Sequence, residues 1–173
     1  MDLEVYWVPR ELNTTADLLS KYVDVDDWEV STELFNILNT MWGSYSIDRF
    51  ANNENKKVTR FNSRFFEIGS EGVDAFARSW GNDNNWLVPP LSDIPNVIKR
   101  FHEEHVKGTL LVPYWTSAAF WPLLKNGESW QFFIKDLVLI KNARRYLKHG
   151  RCTFALLGSD RFDSPLIAMK IES

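Results

Sequence analysis

The sequence predicts an α/β protein built on a doubly wound sheet, and three observations predict it. Segments of strand character alternate with segments of helical periodicity between residues 45 and 124. One strand, Thr109 to Tyr114, is a near-continuous apolar run of the kind buried on both faces in a parallel sheet. Two helical segments carry one-sided apolar stripes: Leu34, Phe35, Leu38, Met41 and Trp42 in the first, Ile94, Val97, Ile98 and Phe101 in the second.

In chain order, Glu4 to Val8 is a short aromatic and β-branched strand stopped by Pro9, and Asn13 is a good cap for a helix over Thr14 to Lys21. Asp24 to Asp27 is an acidic connector. The first amphipathic helix follows, and Gly43 ends it. Tyr45 to Phe50 reads as a buried strand running into the polar loop Asn52, Asn53, Glu54 and Asn55. Asn85 to Val88 is a strand cut off by Pro89 and Pro90, neither of which can donate to a sheet ladder. Ser92 or Asp93 caps the next helix, and Pro95 suits its first turn. Gly108 marks the start of the apolar strand, and a further helix is expected over Ser117 to Leu124. Leu137 to Ile140, Thr153 to Leu157 and Leu166 to Ile171 close the fold as strands, the last two as a C-terminal hairpin.

The chain has 173 residues, enough for one core-bearing domain and a short appendage. With 45% apolar and 25% charged residues it reads as folded and soluble. Cys152 is the single cysteine, which excludes an internal disulfide or a cysteine-built zinc site and suits a reducing compartment. The acidic start and the absence of a long apolar run point to a cytoplasmic or nuclear protein that does not engage membrane. Charge is unevenly spread. Residues 1–33 hold nine acidic side chains against Arg10 and Lys21, a net of -7, whereas the remainder carries +4.

Two basic clusters are candidates for phosphate contact: Lys56, Lys57, Arg60 and Arg64, and Lys141, Arg144, Arg145, Lys148 and Arg151, with Phe61, Phe65 and Tyr146 interleaved. A solvated basic face is the competing reading. His102-Glu103-Glu104-His105 has its histidines three apart, where the zincin pattern needs four, so a solvated helix end is expected there and no metal site. Trp115, Phe120 and Trp121 are expected in the core. Neither a nucleophile elbow nor a phosphate-binding loop is present.

The stretch Trp7-Val8-Pro9-Arg10-Glu11-Leu12-Asn13-Thr14-Thr15-Ala16-Asp17-Leu18-Leu19-Ser20 resembles the end of a retroelement ribonuclease H domain. The resemblance implies that Asp17 stands at the last of that family's four metal-binding carboxylates. Alone it cannot clamp the magnesium ions of a two-metal reaction. Residues 1–24 are therefore expected to be a ribonuclease H remnant in front of a second domain at 25–173.

That second domain resembles the phage-type Dam adenine methyltransferases. The resemblance is carried by Asp27-Trp28, by Ile47-Asp48-Arg49-Phe50-Ala51 with Asn55, by Trp86-Leu87-Val88-Pro89-Pro90-Leu91, and by Leu111-Val112-Pro113. Arg60-Phe61-Asn62-Ser63, Val73-Asp74-Ala75-Phe76 and Val112-Pro113-Tyr114-Trp115 are especially similar to the relative of this domain that follows ribonuclease H in DIRS-type retrotransposons. The resemblance implies a Rossmann-like methyltransferase sheet and a retrotransposon polyprotein fragment, whose partners would be nucleic acid and other segments of the polyprotein.

It also implies where the chemistry sits. In such enzymes a flipped adenine places its amine against an Asn or Asp side chain and a proline carbonyl, and an aromatic ring stacks on the base. Val88, Pro89, Pro90 and Leu91 stand at those catalytic positions, with valine in place of the acceptor and leucine in place of the ring. Each loss costs on the order of 1–3 kcal/mol, so the motif reads as degraded. Asp48, Phe50, Ala51 and Asn55 stand at the cofactor positions for S-adenosylmethionine, but Arg49 replaces the usual proline and no Gly-rich loop follows. The expectation is a catalytically degenerate domain without a cofactor that binds nucleic acid through Lys56, Lys57, Arg60, Arg144, Arg145 and Lys148. The alternatives are an active S-adenosylmethionine-dependent adenine-N6 DNA methyltransferase and a host-adopted protein-interaction module.

Overall fold

The computed structural model describes residues 26–151 and 155–173. The expected strand and helix at Glu4–Val8 and Thr14–Lys21, Asp17, and the start of the expected Thr153–Leu157 strand lie outside the described residues. The described chain forms β1 (Trp28–Val30), α1 (Thr32–Trp42), β2 (Ile47–Asp48), β3 (Asn84–Leu87), α2 (Ile94–Glu103), β4 (Lys107–Pro113) and α3 (Trp121–Leu124). It continues with β5 (Lys125–Asn126), β6 (Ser129–Trp130), β7 (Ile134–Ile140), β8 (Leu147–His149) and β9 (Leu166–Glu172).

Five strands make the central mixed sheet in the order β2-β3-β4-β9-β7. β2, β3 and β4 are parallel, and β9 runs antiparallel to both β4 and β7. Beyond β2 the ladder is extended by single parallel bridges, Asp48 to Phe61 and Ser63 to Val73. β1 pairs with β8 and β5 with β6 as separate two-stranded ribbons.

Side chains leave the sheet alternately, as the period of a strand requires. Trp86, Val88, Leu111, Leu166 and Ala168 face α1, whose buried residues are Leu34, Phe35, Leu38 and Trp42. Ser31 caps that helix by accepting a hydrogen bond from the Leu34 N–H at 3.2 Å. The Trp86 ring meets Phe35 edge-on at 5.0 Å and Tyr45 at 5.0 Å. Leu87, Leu110, Val112, Ile167, Met169 and Ile171 face the other way, onto the Ile94, Val97, Ile98 and Phe101 stripe of α2 and onto Phe120, Trp121 and Leu124. Gly108 permits the closest strand approach, since a Cβ there would lie 2.3 Å from the Asn85 carbonyl oxygen.

Four expectations need correction. The sheet is mixed rather than doubly wound: its parallel part is confined to β2, β3 and β4, and the β2-to-β3 crossover holds only a 3-10 turn at Ala75–Ala77, because residues 49–83 are loop-forming throughout. The C-terminal hairpin of Thr153–Leu157 with Leu166–Ile171 does not form among the described residues. β9 is apolar enough to be buried on both faces and lies between β4 and β7. The helix expected over Ser117–Leu124 is reduced to Trp121–Leu124. Met41 is 49% exposed, because it falls at the margin of the α1 stripe.

Candidate active-site crevice

β2 and β3 lie side by side and parallel, with Ile47 opposite Asn85 and Asp48 opposite Trp86. Their carboxyl ends therefore open at the same edge of the sheet, the position where open α/β sheets hold ligands. A cavity of about 420 Å³ lies there, lined by Phe50, Ala51 and Asn52 after β2 and by Pro90 and Asp93 after β3. Ser63, Arg64, Phe65, Glu67, Asp74, Ala75 and Phe76 come from the crossover loop, and Asp27 and Arg151 close the remaining side. This volume is within the usual range for small-molecule sites, about 300–1,000 Å³.

The loop after β2 is locked by its own polar groups. The buried Asp48 carboxylate accepts from the Lys57 N–H at 3.1 Å and the Phe50 N–H at 3.4 Å. Burial pushes its pKa up to about 7, against the pull of those two bonds. Asn52 and Asn55 bond reciprocally: Asn55 Oδ1 accepts from the Asn52 N–H, and Asn52 Oδ1 accepts from the N–H groups of Glu54 and Asn55. Arg49 is buried and donates to Asn85 Oδ1, Asn62 Oδ1, the Ser79 carbonyl and Asp83 Oδ2. Phe50 stands between Phe76 and Trp80, at 5.7 and 6.0 Å.

The turn after β3 is built differently. Val88 is buried against the α1 face and lines a second, much smaller cleft of about 10 Å³ together with Asp48, Phe50, Asn55, Lys57 and Trp28. That space is about one water molecule. The Pro89 carbonyl accepts a buried hydrogen bond from Trp28 Nε1 at 2.8 Å. Leu91 packs between the two apolar clusters. Of the sequence-derived positions, then, Phe50, Ala51 and Pro90 reach the large cavity, whereas Asp48, Asn55 and Val88 surround the small cleft.

Of the basic positions only Arg64 and Arg151 reach the crevice, where they meet Asp93 and Glu67, and most of the others are engaged in ion pairs elsewhere. Lys57 pairs with Glu29 at 2.8 Å, Arg60 with Glu71 and Asp83, Arg144 with Asp160, and Arg145 with Glu33. The Lys56 ammonium sits 3.2 Å from Asn53 Oδ1 and over the Phe61 ring, and Lys148 is exposed on β8. His102 packs edge-on against Phe132 and Phe133, and Glu104 is held by Arg100, Ser79 and the Trp80 N–H.

The sequence reading missed the acidic lining formed by Asp27, Asp74 and Asp93. Asp74 adopts a left-handed backbone, φ 63°, and caps the 3-10 turn through the Phe76 N–H. Asp93 was legible only as a helix cap; burial raises its pKa despite Arg64 at 4.0 Å. The Asp27-Trp28 and Val73-Asp74-Ala75-Phe76 motifs were the signals that could have marked this wall.

Residues 19–159 match the family DNA N-6-adenine-methyltransferase (Dam). The chain belongs to that family. A DNA N-6-adenine-methyltransferase of Escherichia phage T1 is 26% identical over 134 residues, which is 75% of this chain and 53% of the phage protein. The chain thus spans about half the length of the relative it matches. The Dam match begins at residue 19, inside the segment read as a ribonuclease H remnant, and the comparisons give no support to that remnant or to a retrotransposon context.

Proposed function

We propose that this Dam-family domain retains a crevice for S-adenosylmethionine and has lost methyl transfer to adenine N6, which leaves a binding domain. The observation that carries this reading is Val88. The position that should accept the amine of the base holds an aliphatic side chain, buried among Trp28, Trp86 and Leu111. With Leu91 beside it, both the polarising hydrogen bond and the stacking ring are missing. The neighbouring Pro89 carbonyl already accepts from Trp28.

The donor set of the large cavity fits the methyl donor in chemical type. Asp74 and Asp93 present carboxylates to ribose hydroxyls or an ammonium group, Phe50 presents an apolar ring, and Ala51 leaves room for close approach. When bound, the cofactor supplies an electrophilic methyl group. The protein's own residues bind and orient it, but residue 88 offers no acceptor for an adenine amine. Three parallel strands, two of which end at this crevice, with helices on opposite faces, support a reduced Rossmann-like methyltransferase sheet.

On the sequence pattern of residues 7–20 we assign residues 1–24 to a ribonuclease H remnant and the whole to a retrotransposon polyprotein. A reverse transcriptase upstream in the flanking genome and a tyrosine recombinase downstream are the expected neighbours, and an unrelated genomic context overturns the assignment. The functional reading is tested by calorimetric titration with S-adenosylmethionine, paired with a labelled-methyl transfer assay on duplex DNA. Saturable binding without transfer is expected. Transfer above background overturns the degenerate reading, and an absence of binding overturns the ligand crevice.

A further inference from the structure

The two most exposed large apolar side chains described lie on one loop beside the crevice: Phe66 at 80% and Ile68 at 84%. The loop alternates. Arg64, Phe65 and Glu67 line the cavity, whereas Phe66 and Ile68 turn outward. The tip is held in place and does not hang free: Asn53 donates Nδ2–H to the Ile68 carbonyl at 2.8 Å, and its backbone N–H binds Glu67 at 2.7 Å. Exposing an aromatic and a branched aliphatic residue on a braced loop sacrifices burial that folding would otherwise use, which marks the tip as a contact surface.

Its surroundings indicate the partner. The Lys56 ammonium lies on the same Asn53 side chain that braces Ile68, Arg64 is half exposed at the cavity rim 4.0 Å from Asp93, and Arg78 is exposed where its guanidinium covers Gly72. A paired apolar wedge with cations on its flanks suits a nucleic acid, in which apolar side chains insert between base steps while cations meet phosphates. We infer that Phe66 and Ile68 form a base-inserting wedge on the lip of the crevice. The wedge carries no sequence code by itself. It unstacks a step and positions the strand next to the cavity mouth.

The test uses the full chain and a short duplex carrying 2-aminopurine, with no methyl donor present, so its outcome is independent of whether the crevice binds S-adenosylmethionine. Wild-type protein is expected to raise the 2-aminopurine fluorescence. Phe66→Ala is expected to weaken binding by about tenfold, as loss of one stacking ring does, and Ile68→Ala by less. Neither removes a charge, so the slope of log affinity against log salt stays at the wild-type value, whereas Lys56→Ala lowers it by about one. Both apolar positions are exposed, so both variants are expected to keep the wild-type circular dichroism. Unchanged affinity or fluorescence in the Phe66→Ala, Ile68→Ala double variant overturns the wedge. Loss of a DNA-independent self-association in that variant, seen by sedimentation, also overturns it and assigns the face to a second copy of the chain.

Discussion

The loop after β2 and the turn after β3 border the same crevice, yet they are stabilised by opposite means. After β2, Asp48, Arg49, Asn52 and Asn55 are buried polar groups whose partners all lie within the protein. After β3, Val88, Pro89, Pro90 and Leu91 are apolar, and the partner that orders them is the indole of Trp28. The polar loop is specified by hydrogen bonds, each expensive to leave unmade, while the apolar turn is specified by shape. A sequence can therefore lose chemistry from the turn at little structural cost, but cannot easily lose polar groups from the loop.

The comparison breaks most sharply at Arg49. Its guanidinium is 3% exposed and satisfies Asn62, Asn85 and Asp83 at once. Arg49→Ala leaves Asn85 Oδ1 and Asn62 Oδ1 without their donor, while Asp83 keeps Arg60 and Ser46, and a loss of about 2–5 kcal/mol in urea unfolding is expected. A loss below about 1 kcal/mol would mean that the polar loop is as tolerant as the turn.

Next in size is the pH dependence that Asp48 imposes. Its pKa is near 7 in the folded protein, above the ordinary carboxylate value of 3.8. The folded state therefore holds a proton that the unfolded chain has released, and stability falls as pH rises through this window. The contribution is fully present below about pH 4 and gone above about pH 7. Asp48→Asn cannot ionise, so its stability curve is expected to lack this decline. Parallel wild-type and Asp48→Asn curves between those limits would show that the carboxylate is already ionised in the folded protein.

Much of this was readable from sequence where the signal is local. The apolar stripe of α2 at Ile94, Val97, Ile98 and Phe101 is buried throughout, since helical periodicity needs only neighbours three and four residues apart. The Pro89-Pro90 stop and the buried strand before it were legible for the same reason. The insertion of β9 between β4 and β7 was not, because strand pairing is set by distant segments and the hairpin rule rewards adjacency. The crevice wall was half legible: Asp27, Phe50 and Pro90 sit in recognisable motifs, but Asp93 and Arg151 arrive there only by folding.

Val88 gives the intermediate case. Val88→Asn places an amide where the proposed reading puts the family's acceptor, at a position only 6% exposed between the apolar α1 face and the small cleft with Asp48 and Asn55. An unpaired amide there is expected to cost about 1–3 kcal/mol in urea unfolding. On the proposed reading this variant shows no methyl transfer, because Leu91 provides no stacking surface. Donor-dependent transfer by the single variant would place the whole defect at residue 88 and leave the rest of the turn competent.

The smallest expected effect concerns the basic residues, where sequence and structure differ most. Lys57, Arg60, Arg144 and Arg145 read as phosphate ligands from their local density, but each meets a carboxylate, and some of these are remote in sequence: Glu33 lies 112 positions from Arg145. Charge clustering along a chain cannot reveal such neutralisation. The Arg145–Glu33 pair is 65% and 52% exposed, so water and salt screen it, and a double-mutant cycle is expected to return about 0.2–1 kcal/mol. Because the pair occupies the guanidinium, Arg145→Ala should leave DNA affinity within twofold of wild type while Lys56→Ala lowers it. A large loss with Arg145→Ala, accompanied by a shallower salt dependence, would mean that DNA displaces Glu33 and that the 143–148 turn belongs to the nucleic-acid surface.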